Sequence, residues 1–188
     1  GFEALARAAD GAPIRRADGR LVKIVVFIQC AGQRDTTGRH LPYCSGHCCG
    51  TSIKQAMYLK DADAQASAIV LYTDLRTPGM AEDFYRSAQA KGVTFAKGVA
   101  QAVEAAGDGM RVRFRDLILD EDAAADADLV VLATGQVANA GVDLDRWDAA
   151  VTGAEQGDAA AVEHKSALAK ISVLNLAYRQ GPDLPQLK

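Results

Sequence analysis

The ten residues "LVKIVVFIQC", Leu21 to Cys30, set the reading of the rest of the chain. From Leu21 to Ile28 the run is apolar, rich in β-branched residues, without alternation, and of strand length. That pattern predicts a strand buried on both faces, as in a parallel sheet. It leads straight into a cysteine. The stretch "FIQCAGQRDTTGRHLPYCSGHCCG", Phe27 to Gly50, holds all four cysteines of this 188-residue chain.

Downstream of the cysteines, "GTSIKQAMYLKDADAQ" predicts a helix with Ile53, Met57 and Tyr58 on one side. "SAIVLYTD", Ser67 to Asp74, predicts a second buried strand, and "RTPG" a turn. "MAEDFYRSAQAKG" predicts a helix closed by Gly92, and "VTFAKG" a short third strand. Strand, helix, strand, helix, strand is the order of a right-handed parallel α/β sheet, so the expected class is α/β with a Rossmann-like domain. "MRVRFRDLILD" alternates around Val112, Phe114 and Leu117 and predicts an antiparallel excursion. The acidic run "DEDAAADAD" reads as a solvated loop before a further buried strand, "ADLVVLATG", which ends in a tight turn. "SALAKISVLNLAY" predicts a helix. The expected organisation is a lead-in or linker over 1–20, a Rossmann-like domain carrying the cysteine loop over 21–135, and residues 136–188 beyond it.

Composition is that of an ordinary globular protein, 49% hydrophobic and 24% charged. A chain of this size buries roughly 70% of its unfolded surface and needs no covalent staples. The net charge of −3 gives no support for a nucleic-acid partner. No apolar run reaches the ~18 residues of a membrane span, and the expected location is cytoplasmic. The chain opens at Gly1, has its first Met at position 57, and stops at "PDLPQLK". Both ends read as cuts, so a piece of a larger protein is expected.

The cysteines are spaced as Cys30, thirteen residues, Cys44, three residues, then Cys48-Cys49. A disulfide framework does not suit a large domain with no sign of an oxidising compartment. Unrelated buried thiols would scatter along the chain. A structural zinc site would usually show two short-spaced cysteine pairs, and only one is present. A [4Fe–4S] cluster fits best, since it takes four thiolates. The first cysteine then stands at the C-terminal end of a strand, where α/β folds place ligands. The last two stand at a predicted helix N-terminus, whose free N–H groups favour anionic sulfur. Gly32, Gly38, Gly46 and Gly50 let the backbone wrap closely. Lys54 and His47 are candidates for tuning the centre, although a solvated role suits both. A zinc-stabilised interaction module and a thiol–disulfide domain using Cys48-Cys49 stay open as alternatives.

With "VVFIQCAGQRD", "LPYCSGHCC", "SIKQA", "DLRTPGMAEDFYRSAQAKGV" and "VVLATG" together, the chain resembles the A-type subunit of heterodisulfide reductase and the related A-type subunit of the quinone-interacting membrane-bound oxidoreductase. The resemblance runs from about Phe2 to beyond Leu176, and the tail "LNLAYRQGPDLP" favours the quinone-interacting branch. One departure is Gln33, where a small residue such as Ser is expected.

The resemblance implies an iron–sulfur flavoprotein with a fold like thioredoxin reductase, of which this chain is mostly the second, dinucleotide-binding-type domain, with 136–188 returning to the FAD domain. It implies that Cys30, Cys44, Cys48 and Cys49 bind a [4Fe–4S] cluster, which carries electrons between FAD and partner subunits in an oxidoreductase. Adenylylsulfate reductase is an implied partner, and membrane contact would come only through partner subunits. Thr134 and Gly135 would approach FAD in the intact protein, which this fragment alone is not expected to hold.

A pyridine-nucleotide site would need G-x-G-x-x-G after the first strand, and the cysteine loop occupies that position. Asp74 resembles a ribose-binding acid by place, but a loop or cap role is favoured. With only His40, His47 and His164, no hydrolytic motif is visible.

Overall fold

The computed structural model describes residues 1–37, 39–136 and 144–164. They fall into two compact units, residues 1–136 and the part after Val137. The first unit holds α1 (Phe2–Ala9), β1 (Ile24–Ile28), α2 (Cys48–Ala62), β2 (Ser67–Tyr72), α3 (Ala81–Ala90), β3 (Thr94–Ala106), β4 (Gly109–Asp116), β5 (Glu121–Ala127) and β6 (Leu129–Leu132). The second holds α4 (Leu144–Glu155). The helix expected at 166–178 lies outside the described residues.

The strands form one six-stranded sheet in the order β5-β4-β3-β2-β1-β6. β3, β2, β1 and β6 are parallel neighbours, and β4 and β5 continue from β3 as antiparallel partners. This is a mixed α/β sheet compatible with a Rossmann-like fold. β1 lies between β2 and β6, and its alternate residues serve two cores. Val25 and Phe27 face a helix-side cluster with Ile53, Ala56, Met57, Leu59 and Val70. Val26 and Ile28 face a second cluster with Leu71, Val112, Phe114 and Ala127. Burial on both faces is the reason the run carries no alternation.

α2 buries Cys49, Ser52, Ile53, Ala56 and Met57, the i, i+3, i+4 spacing of one helix face. Tyr58 falls off that face and is exposed, with the Lys54 ammonium 5.5 Å from its ring centre. α3 ends before Gly92, whose φ of +84° suits the expected helix-closing glycine.

Several readings change. Residues 1–20, expected as a lead-in, carry a packed helix: Phe2 is buried and meets Phe27 edge-on at 5.3 Å. Ile14 is buried in the same core, and Arg16 donates to the carbonyls of Asp108 and Asp128 at 2.7 and 3.3 Å. β3 is thirteen residues long rather than short, because its second half pairs with β4 across a bulge at Ala100–Ala102.

The acidic run is strand β5, not a loop. Its outward Asp126 and Asp122 meet outward arginines of β4, Arg111 at 2.7 Å and Arg115 at 3.5 Å, while Ala123 and Ala125 sit opposite Phe114 and Val112. Leu117 lies in the turn after β4 and is exposed, since the Asp116 carboxylate accepts from the Ile118 and Leu119 amides and ends the alternation there. β6 is partly open rather than buried, with Leu132 56% exposed at the edge of the sheet.

Candidate functional site

The site begins where β1 ends. Cys30 follows the strand with φ of +56°, and Arg34 has the same value, both in the left-handed region where a side chain is strained. Such strain persists where the surroundings impose it, and it gathers at functional sites. Here the surroundings are a loop folded back on itself. Arg34 N donates to Tyr43 O at 3.1 Å, Asp35 N to Leu41 O at 3.0 Å, and Leu41 N to Gly32 O at 3.2 Å. The Asp35 carboxylate gathers the far end. It accepts from the Thr37 amide and hydroxyl and from the Arg39 and His40 amides, all at 2.8–2.9 Å. Those donors, the Thr37 amide foremost, hold its pKa down to about 2.

This folding returns the chain to Cys44 and then to Cys48 and Cys49, the first two residues of α2. Successive helical positions diverge by about 100°, so the two neighbours face different ways. Cys48 meets Ser45 Oγ at 3.6 Å and the Gln33 carboxamide nitrogen at 3.4 Å. Cys49 is buried on the inner face of α2. Cys44 accepts from the Gly46 amide at 3.4 Å.

All four cysteines are free thiols. Burial pushes the Cys30 thiol up, Arg34 pulls it down, and Cys44 and Cys48 push it up again. Burial pushes the Cys49 thiol up too. The Arg76 amide opposes that, and the other three cysteines add to it.

Among the described residues no three His, Cys, Asp or Glu side chains are placed to hold one metal ion. Four free thiols are the donor chemistry that a four-iron cluster takes. Beside Cys30, both polar atoms of the buried Gln29 carboxamide have no hydrogen-bond partner among the described residues.

Two clefts flank the loop. One, of about 620 Å³, is lined by Gln29, Cys30, Gln33 and Arg34 together with β3 residues from Gly98 to Val103. The other, of about 690 Å³, brings Cys48 and His47 together with α1, β6, Thr134 and Gly135. The glycine at 135 has a local cause: its φ is +89°, and a Cβ there would fall on the Gln33 carboxamide.

Asp74 is claimed by the loop. Its carboxylate holds the Arg34 guanidinium at 2.6 Å, and the Arg34 charge pulls the Cys30 thiol down. Lys54 pairs with Glu3 of α1 at 3.2 Å, so its charge is offset on the spot. His47 occupies the N-cap position of α2. Sequence reasoning missed Arg34, Arg76 and the role of Gln33. For Gln33 a signal existed, namely a bulky amide where a small residue was expected.

No helix among the described residues is long and apolar enough to cross a membrane. No family model matches the chain. Similarity to curated proteins is clear. The chain is 38% identical over 130 residues to the A-type iron-sulfur subunit of CoB–CoM heterodisulfide reductase from Methanocaldococcus jannaschii, covering 66% of this chain and 20% of that protein. It is 36% identical over 138 residues to the A-type subunit of H(2):CoB-CoM heterodisulfide,ferredoxin reductase from Methanothermobacter marburgensis, covering 71% and 21%. It is 34% identical over 120 residues to the A-type subunit of ferredoxin:CoB-CoM heterodisulfide reductase from Methanosarcina acetivorans, covering 63% and 15%. The chain thus spans about a fifth of the length of the curated relatives it matches.

Proposed function

On the premise that the chain is homologous to one segment of the A-type subunit of heterodisulfide reductase, we propose that it is an electron-transfer domain of an iron–sulfur flavoprotein subunit. Cys30, Cys44, Cys48 and Cys49 would hold a [4Fe–4S] cluster, and Thr134 and Gly135 would lie towards FAD in the longer protein. Bound there, the cluster supplies a site that takes up and releases one electron at a time.

The observation that supports this reading is that all four cysteines are free and stand after β1, in the loop that returns from it, and at the first two positions of α2. The chain's own residues do the preparing. The strained turn at Cys30 and the Asp35-closed loop bring Cys44 back towards α2. The N-terminal amides of α2 present a positive dipole end to the anionic sulfurs of Cys48 and Cys49. Arg34, itself fixed by Asp74, adds a cation beside Cys30. Cys48, Thr134 and Gly135 line one cleft, which supports transfer between cluster and flavin over a short path.

The domain organisation follows. Residues 21–135, with α1 and Ile14 packed into their core, form a Rossmann-like domain of the dinucleotide-binding type with its phosphate cradle replaced by the cysteine loop, and 136–188 return towards the FAD domain. The partners are other subunits of an electron-transfer complex. Through the resemblance of Leu174–Pro185, the complex belongs to the quinone-interacting branch, exchanging electrons between membrane quinones and adenylylsulfate reductase.

Anaerobic reconstitution with iron and sulfide, followed by EPR after dithionite reduction, tests this reading. A fast-relaxing rhombic signal is expected, with full loading abolished by Cys→Ser at position 30, 44, 48 or 49. Stoichiometric zinc with no iron uptake would turn the domain into a structural module.

A further inference from the structure

Gln33 is the residue of the loop that departs from expectation, and its surroundings give it a defined orientation. It is only 5% exposed. Its Oε1 accepts from the Ser45 amide at 2.8 Å. Its Nε2 then faces the Ser45 hydroxyl at 3.2 Å and the Cys48 sulfur at 3.4 Å. Exchanging the two ends would set an NH2 group against the Ser45 N–H, so the hydrogen-bond pattern decides which atom faces sulfur. On its other side the carboxamide lies against Gly135, where any Cβ would displace it. A buried, oriented donor thus points at one of the four thiols, held between the cysteine loop and the turn after β6.

We propose that Gln33 is a positioning residue for Cys48 and raises the reduction potential of the centre that Cys48 ligates; this rests on the cluster reading above. An N–H directed at a ligand sulfur stabilises negative charge there. The reduced cluster carries one more negative charge than the oxidised one, so the bond strengthens on reduction and favours it. The carboxamide acts through sulfur and touches no substrate. A small residue at this position would leave both Ser45 and Cys48 without the bond.

The test is an EPR-monitored redox titration of the reconstituted chain beside Gln33→Met, which keeps the volume and removes the donor. A second variant, Gly135→Ala, leaves residue 33 in place but puts a methyl where its carboxamide lies. Both are expected to load iron fully and to titrate at a more negative potential. Both should also lose an exchangeable-proton hyperfine coupling seen in the unmodified chain by comparing H2O with D2O. Full loading with unchanged potential and unchanged coupling would overturn the role of Gln33 while leaving the cluster reading intact. Loss of iron from both variants would also overturn it, making Gln33 an assembly residue instead. Failure of the unmodified chain to take up iron would sink both readings together.

Discussion

Two parts of the molecule depart from a plain alternation of strand and helix, and they are held in opposite ways. The cysteine loop is held by a few groups that each make several bonds: the Asp35 carboxylate, the Gln33 carboxamide, and the backbone turns at Cys30 and Arg34. The β3–β4–β5 meander is held by many weak and repeated contacts. Val112 and Phe114 point inward, while the outward Arg111 pairs with Asp126, Arg113 with Glu104, and Arg115 with both Asp120 and Asp122. A region of the first kind should fail at single residues. A region of the second kind should tolerate the loss of most side chains and fail only where its root is obstructed.

The largest effect is expected at that root. Gly98 lies where β3 passes from β2 to β4, and a Cβ there would stand 2.8 Å from the Arg115 carbonyl, 2.9 Å from the Phe114 ring and 3.0 Å from Leu71. Overpacking of this kind costs about 1–3 kcal/mol, and for a chain of this size each kcal/mol lowers Tm by about 2–4 °C. Gly98→Ala followed by thermal circular dichroism measures it. An unchanged Tm would mean that the meander root yields freely, and the contrast between the regions would weaken.

A local effect is expected in the loop. The folded pKa of Asp35 is about 2, against an ordinary value of about 3.9. A depressed carboxylate stabilises the folded loop above its unfolded pKa, and that contribution is lost as pH falls through the folded value. The Thr37, Arg39 and His40 amides should therefore keep their NMR positions down to about pH 4 and move together towards pH 2. In Asp35→Ala they should already be displaced at pH 7. Amides that titrate independently would show that no single group closes the loop.

The smallest effect is expected from Arg113→Ala. Its partner Glu104 is half exposed, as is Arg113 itself, and exposed pairs of this kind contribute little and are screened by salt. The variant should melt with the parent chain at high ionic strength. A clear loss of stability there would promote the charge ladder to a structural necessity.

The same contrast explains what could be read beforehand. β1 and β2 were legible because an unbroken β-branched run has one explanation, and the cysteine loop stood out as a candidate because four cysteines within twenty residues are compositionally rare. The meander was half legible. "MRVRFRD" alternates by itself, but "DEDAAADAD" becomes a strand only through its partners, with alanines against Val112 and Phe114 and acids against arginines. Single-segment patterns do not contain that pairing information. Leu117 fitted the alternation on paper, whereas Asp116 caps the turn and turns it out to solvent. The helix α1 was obscured by the turn-rich residues after it, although Phe2 and Ile14 were there to be buried. The loop's internal fastenings depend on which backbone groups a return path brings near, and spacing alone does not say.

The neighbours of β1 have a consequence for biosynthesis. The four thiols are separated by at most nineteen positions, yet the strand that aims Cys30 is flanked by β2 and by β6, whose pairing runs to Leu132. The wall behind Gln33 comes later still, at Gly135. Cysteines close together in sequence thus sit on a frame of high contact order, and such frames assemble late and slowly. A ribosome-bound chain that has released only its cysteines has sulfur but no seat for it. The cysteine loop therefore gains its full support only once the last parallel strand has been made and paired.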